Sequence, residues 1–109
     1  MLRLLSASNL RQRVIAENIA NENTPGFTRS VVRFEELLSK RLDEHDPDLS
    51  SIEPRVEQDR STPAGADGNN VSLETETAAL RENRLLYEVY ASILEARSSM
   101  IRSSIMEGR

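Results

Sequence analysis

The chain has no cysteine and no tryptophan, and a single histidine, among 109 residues. Without cysteine there is no disulfide, no thiolate metal site and no cysteine nucleophile. A lone histidine excludes any site that needs two imidazoles. Aromatic residues make up 4%, whereas a solitary domain of this size normally draws more of its buried area from large rings. No apolar run approaches the ~20 residues of a membrane span, and no signal peptide opens the chain. Fourteen basic residues stand against 18 acidic ones, giving a net charge of −4 and a pI near 5.0. The basic face that phosphate neutralisation requires is therefore missing, and nucleic acid is not an expected partner. No nucleophile–base pair, phosphate loop or metal cluster can be read. The expectation is a protein that is not an enzyme, with no cofactor, no small-molecule substrate and no direct membrane insertion.

What is present is sorted along the chain. Residues 1–28 carry net +1, residues 29–68 net −4 and residues 69–109 net −1. The middle also holds Pro47, Pro54 and Pro63 of the four prolines. Leu, Ile, Val and Phe total 27, about a quarter of the chain and only modestly above the roughly one-fifth at which sequences stay disordered. Two patterned ends are joined by a polar centre. The division expected is an N-terminal helix and turn (1–28), a short extended or helical segment (29–42), a flexible acidic linker (43–69) and a C-terminal helix (70–109).

From Leu2 to Ala20 there is neither Gly nor Pro, and Leu4, Ala7, Leu10, Val14, Ile15 and Ile19 share about half of a helical circumference. Arg11 and Asn18 interrupt that face, which calls for polar neighbours there. Two readings stay open: an ordinary amphipathic helix packed on its own domain, or a seam for another subunit. Asn21, Asn23, Thr24, Pro25 and Gly26 then stop the helix, since Asn and Thr compete for backbone hydrogen bonds and Pro-Gly is a turn signal. Residues 27–34 read as a strand or an extended piece, and Glu35 to Leu42 as two helical turns.

Residues 43–68 offer only Leu49, Ile52 and Val56 as sizeable apolar groups, too few to offset chain ordering. His45 among acidic neighbours reads as a solvated loop rather than a metal site, for want of a rigid frame. Asp67-Gly68-Asn69-Asn70 has the start of a calcium loop, but Val71 occupies a ligand position and the required glycine is missing. Asn70-Val71-Ser72 matches a glycosylation sequon, a pattern frequent by chance.

From Ser72 to about Met106 Gly and Pro are again absent. Ser72 suits an N-cap, and Glu74 and Glu76 sit where the helix dipole favours negative charge. One seam runs Leu80, Asn83, Tyr87, Tyr90, Leu94, Arg97, Ile101, and a second Ala79, Leu86, Val89, Ile93, Ala96, Met100. A stripe this broad and long exceeds what the first helix can cover, so other chains are expected to bury the rest. Asn83 and Arg97 either fix register or simply reach solvent at the stripe edge. The fold class expected is mainly α, an antiparallel, coiled-coil-like pair of terminal helices with a short extended segment and a poorly ordered middle.

Asn18-Ile19-Ala20-Asn21-Glu22-Asn23-Thr24-Pro25-Gly26-Phe27 resembles the N-terminal signature of the bacterial flagellar axial proteins of rod, hook and hook-associated type. Asp67-Gly68-Asn69-Asn70-Val71-Ser72-Leu73-Glu74-Thr75-Glu76, followed by Glu82-Asn83 and Tyr87, is similar to the C-terminal block of the proximal-rod branch of that family. Asn83-Arg84-Leu85-Leu86-Tyr87-Glu88 departs from the Arg-Ala-Tyr-Glu-Ala-Asn-like stretch usual in other branches. The resemblance covers residues 4–34 and 67–105. It implies a structural subunit of a rod crossing the periplasm, exported by the flagellar type III apparatus without a cleaved signal peptide. The partners implied are copies of itself, other rod proteins, and ring or export-gate components at the rod base. Asn18, Asn21, Asn23, Thr24, Pro25, Gly26 and Phe27 would shape the turn; Leu10, Val14, Ile15, Ile19, Leu73, Leu80, Asn83, Leu86, Tyr87, Tyr90, Leu94 and Ile101 would pack or assemble. Three departures stand out: a first helix starting almost at Met1, so that either the export signal is shortened or the chain start is incomplete; Thr77 where the family commonly has Met; and a short middle. The alternatives are another axial protein of rod or hook type, or a soluble helical binding module or regulator that uses the long helix to hold a partner.

Overall fold

The computed structural model describes residues 2–44 and 51–107. Its elements run α1 (Leu2–Ala20), β1 (Ser30–Arg33), α2 (Glu35–Asp43), β2 (Arg55–Gln58) and α3 (Leu73–Glu107). α1 stops where side chains take over its last carbonyls. Asn21 donates to the Glu17 carbonyl from both its backbone N–H (3.1 Å) and its Nδ2 (2.8 Å), and the Thr24 hydroxyl donates to Asn21 Oδ1 at 3.1 Å. Gly26 completes the reversal at φ +75°, a conformation that costs glycine nothing. α3 opens at Ser72, whose carbonyl accepts the Glu76 N–H at 2.9 Å and whose Oγ accepts the Thr75 N–H at 3.4 Å. Thr77 turns its hydroxyl back to the Leu73 carbonyl at 2.7 Å, so the polar group needs no partner from a packed seam.

α1 and α3 lie antiparallel: Ser8 meets Asn83 near one end of the pair, and Asn18 meets Glu76 near the other. β1 runs along α1 and pairs antiparallel with β2, Val32 opposite Val56. The apolar core is small. Ala7, Phe34 and Ile52 form its centre, with Leu4, Leu37 and Leu38 packed against it, and Val14, Ile15 and Val32 are also buried. α2 has no side-chain cap at Phe34; Glu35 and Glu36 in its first turn and Lys40 and Arg41 in its last suit the helix dipole.

The terminal helices pair as the periodicity predicts. The centre differs from a uniform 43–69 linker. His45, Asp46, Pro47, Asp48 and Leu49 lie outside the described residues. Beyond them Ile52 enters the core, Arg55–Gln58 forms β2 and Asp59 is buried. The segment buries little of its own; it borrows α1, β1 and Phe34 as the other half of its contacts. α3 is 35 residues long, about 52 Å, against about 28 Å for the 19 residues of α1. Every residue from 95 to 107 is exposed, a stretch of about 20 Å. The molecule is accordingly a rod, 68 × 29 × 15 Å.

Candidate assembly interface

The two sequence blocks that carry the resemblance meet in space. Asn69 Nδ2 donates to the carbonyls of Asn21 and Thr24, both at 2.8 Å, and the Gly26 N–H donates to the Asp67 carbonyl at 2.8 Å. Gly68 sits at φ +81°, and a Cβ there would lie 3.3 Å from the Gly26 Cα. Gly68 thus serves both its left-handed turn and the close approach, whereas Gly26 serves its turn alone, since a Cβ there would meet nothing within 4 Å. Asn70 closes the end of the two-stranded ladder: its Oδ1 accepts the Arg29 N–H and its Nδ2 donates to the Asp59 carbonyl, both at 2.7 Å. With its amide buried and engaged, Asn70 is not presented as a glycan acceptor.

Beneath these turns lies a buried charge cluster. Arg29 Nε donates to Glu76 Oε1 and one of its terminal nitrogens to Asp59 Oδ2, each at 2.6 Å. Glu76 is fully buried, and its second oxygen accepts Asn18 Nδ2 at 3.3 Å. Asn18 also exchanges two hydrogen bonds with the Ser30 backbone, at 2.8 and 2.9 Å. Asp59 accepts hydrogen bonds from the hydroxyls of Ser61 and Thr62 and from Arg29, and these hold its carboxyl far below the ordinary carboxylate range. Buried carboxylates persist only with such partners, and every buried side-chain polar atom among the described residues has one.

The helix pair carries a second polar tie. The Ser8 hydroxyl donates to Asn83 Oδ1 at 3.0 Å, and Asn83 Nδ2 donates to the Ser8 carbonyl at 2.9 Å, both buried. Asn83 therefore does not reach solvent. Nearby Arg11 grips Glu35 with two nitrogens at 2.9 and 2.7 Å and the Val32 carbonyl at 3.1 Å. That hydrogen bonding lowers the Glu35 carboxyl below its usual value.

Farther along α3 large apolar residues become exposed. Leu86, Tyr90 and Leu94 are half-buried, whereas Leu85, Tyr87, Val89, Ile93, Met100, Ile101, Ile105 and Met106 are exposed. Ile101 and Ile105 continue the helix face that carries Asn83 and Leu94, beyond the point where α1 begins. These exposed apolar residues alternate with Ser98, Ser99, Arg102, Ser103 and Ser104 along the distal half of α3.

The expected packing residues divide accordingly. Val14, Ile15 and Asn83 are buried; Leu10, Ile19, Leu80, Leu86, Tyr90 and Leu94 are half-buried. Leu73, Tyr87 and Ile101 are exposed. Of the turn residues, Asn18 is buried, Asn21 and Phe27 are half-buried, and Asn23, Thr24, Pro25 and Gly26 are exposed. Ser8, Arg29 and Asp59 carried no expectation at all. The signal was faint: buried acids on an otherwise solvated pattern can be found only by knowing which arginine faces them. Among the described residues no group of His, Asp and Glu could hold a metal ion, and no helix is long and apolar enough to cross a membrane.

Comparison with known proteins identifies the family. The family described as flagella basal body rod protein matches residues 5–28, which span most of α1 and the turn. A flagellar basal body rod protein FlgB of Borreliella burgdorferi is 32% identical over 110 residues, covering 84% of this chain and 82% of its own. The FlgB of Borrelia hermsii is 34% identical with the same coverage, and that of Bacillus subtilis 27% identical over 96% of this chain and 89% of its own. These relatives are structural proteins of the rod, not enzymes. A chain whose two signature blocks lock together at one end of a helix pair, and which is similar to these proteins over most of its length, belongs to the FlgB family of flagellar basal body rod proteins.

Proposed function

We propose that this rod subunit assembles through the apolar stripe of α3 after type III export without a cleaved leader. Its place is the proximal rod, next to copies of itself, other rod proteins, and ring or export-gate components at the rod base. The observation that carries the reading is the free length of α3: residues 95–107 are exposed along the whole circumference, yet include Met100, Ile101, Ile105 and Met106. No described residue covers them, and a neighbouring chain would supply hydrophobic burial at ~25 cal/mol per Å². Polar groups hold the opposite end of the pair, so α3 is presented at a fixed angle rather than left to collapse onto α1.

The test is made in a motile cell. Leu94→Glu and Ile101→Glu are expected to leave secretion of the subunit at the wild-type level while abolishing rod assembly and swimming. Normal swimming of both variants would overturn the stripe as the assembly surface. Loss of secretion in both would instead place the stripe in export.

A further inference from the structure

We propose that residues 51–62 form a strap whose closure sets the register of α1 on α3, with Arg29 transmitting it. The strap is held at both ends. At one, Ile52, 4% exposed, enters the cluster of Ala7 and Phe34. At the other, the Asp59 N–H donates to the Arg29 carbonyl at 2.8 Å, while Asp59 Oδ2 accepts the Arg29 guanidinium at 2.6 Å. Between them β2 meets β1 along one edge only, and Arg55, Val56 and Gln58 are exposed. A two-stranded sheet with so little apolar burial is marginal on its own, so the strap can open without global unfolding.

What opening would release is Arg29. Its backbone N–H is held by Asn70 and its carbonyl by Asp59, and its guanidinium is shared between Asp59 on the strap and Glu76 on α3. At this end of the helix pair the direct tie, Asn18 to Glu76, is long at 3.3 Å, whereas Arg29 to Glu76 is 2.6 Å. The stronger connection therefore runs from strap to Arg29 to Glu76. The far end is tied by Ser8 and Asn83 without the strap. Closing the strap fixes Arg29 in the one position that neutralises a fully buried carboxylate, and with it the first turns of α3 against α1. An open strap leaves this end of the pair to the long Asn18–Glu76 bond and to the turn contacts of Asn69 with Asn21 and Thr24, without the short Arg29–Glu76 link that Asp59 pins.

Amide hydrogen exchange on the full chain distinguishes this from an independent flap. In Asp59→Ala, exchange is expected to accelerate at least tenfold in β1 and β2 and also at residues 14–20 and 76–80, with residues 84–90 unchanged. Acceleration confined to 30–33 and 55–62 would overturn the proposal, as would equal acceleration at 84–90. Should Asp59→Ala fail to fold, Asp59→Asn read at the same residues decides by the same two patterns.

Discussion

The two ends of α3 solve opposite problems. At its first turns the helix places a fully buried glutamate against an arginine and an asparagine, and every buried side-chain polar atom there finds a partner among the described residues. Beyond Leu94 it carries isoleucines and methionines that stand exposed among the described residues. The first arrangement trades apolar area for directional bonds, which fix geometry but contribute little net stability each. The second keeps its apolar area in reserve. A small protein with a core centred on Ala7, Phe34 and Ile52 can thus hold a definite shape at one end and remain adhesive at the other.

The comparison breaks most visibly at Arg29. Arg29→Ala leaves Glu76 buried without a cation and is expected to cost about 3–5 kcal/mol in urea unfolding. A loss comparable to that of a surface substitution would mean that Glu76 is solvated. Acid should act on the same cluster. The Asp59 carboxyl is held low in the folded chain, so its contribution is fully present above the ordinary carboxylate value of about 3.9 and fades as pH falls below it. Asp59→Asn is expected to flatten that acid limb, measured as unfolding free energy against pH; an unchanged limb would assign it to other carboxylates. Asn83→Ala removes both side-chain bonds to Ser8, leaves the Ser8 hydroxyl only its 3.5 Å contact with the backbone carbonyl of residue 83, and is expected to cost about 1–3 kcal/mol. Ile105→Glu should change the stability of the isolated chain by less than about 0.5 kcal/mol, although it lies on the face that continues past Leu94. If it destabilised the chain as much as Asn83→Ala, the distal half would already be packed.

The sequence made some of this contrast legible. Both terminal helices follow from their periodicity and from the absence of Gly and Pro, and the stop after Ala20 from Asn21, Thr24, Pro25 and Gly26. The excess length of α3 over α1 was also readable, because rise per residue is fixed. The charge cluster was not. Arg29 is 30 residues from Asp59 and 47 from Glu76, and no periodicity links such positions. Glu76 looks like a helix-dipole residue until its burial is seen, and Asp59 looks like one more acid of a polar centre. The order in residues 51–62 escaped for the same reason: that segment has too few apolar groups to fold by itself and is ordered by bonds to Arg29 and β1.

Circular dichroism with light scattering over a concentration series shows whether neighbouring chains complete the burial of α3. Helicity and thermal stability are expected to rise together with the appearance of oligomers, and Ile101→Glu is expected to remove this rise without lowering the helicity of the dilute chain. A monomer at micromolar concentration that is fully helical, melts cooperatively and gains nothing on concentration would contradict it.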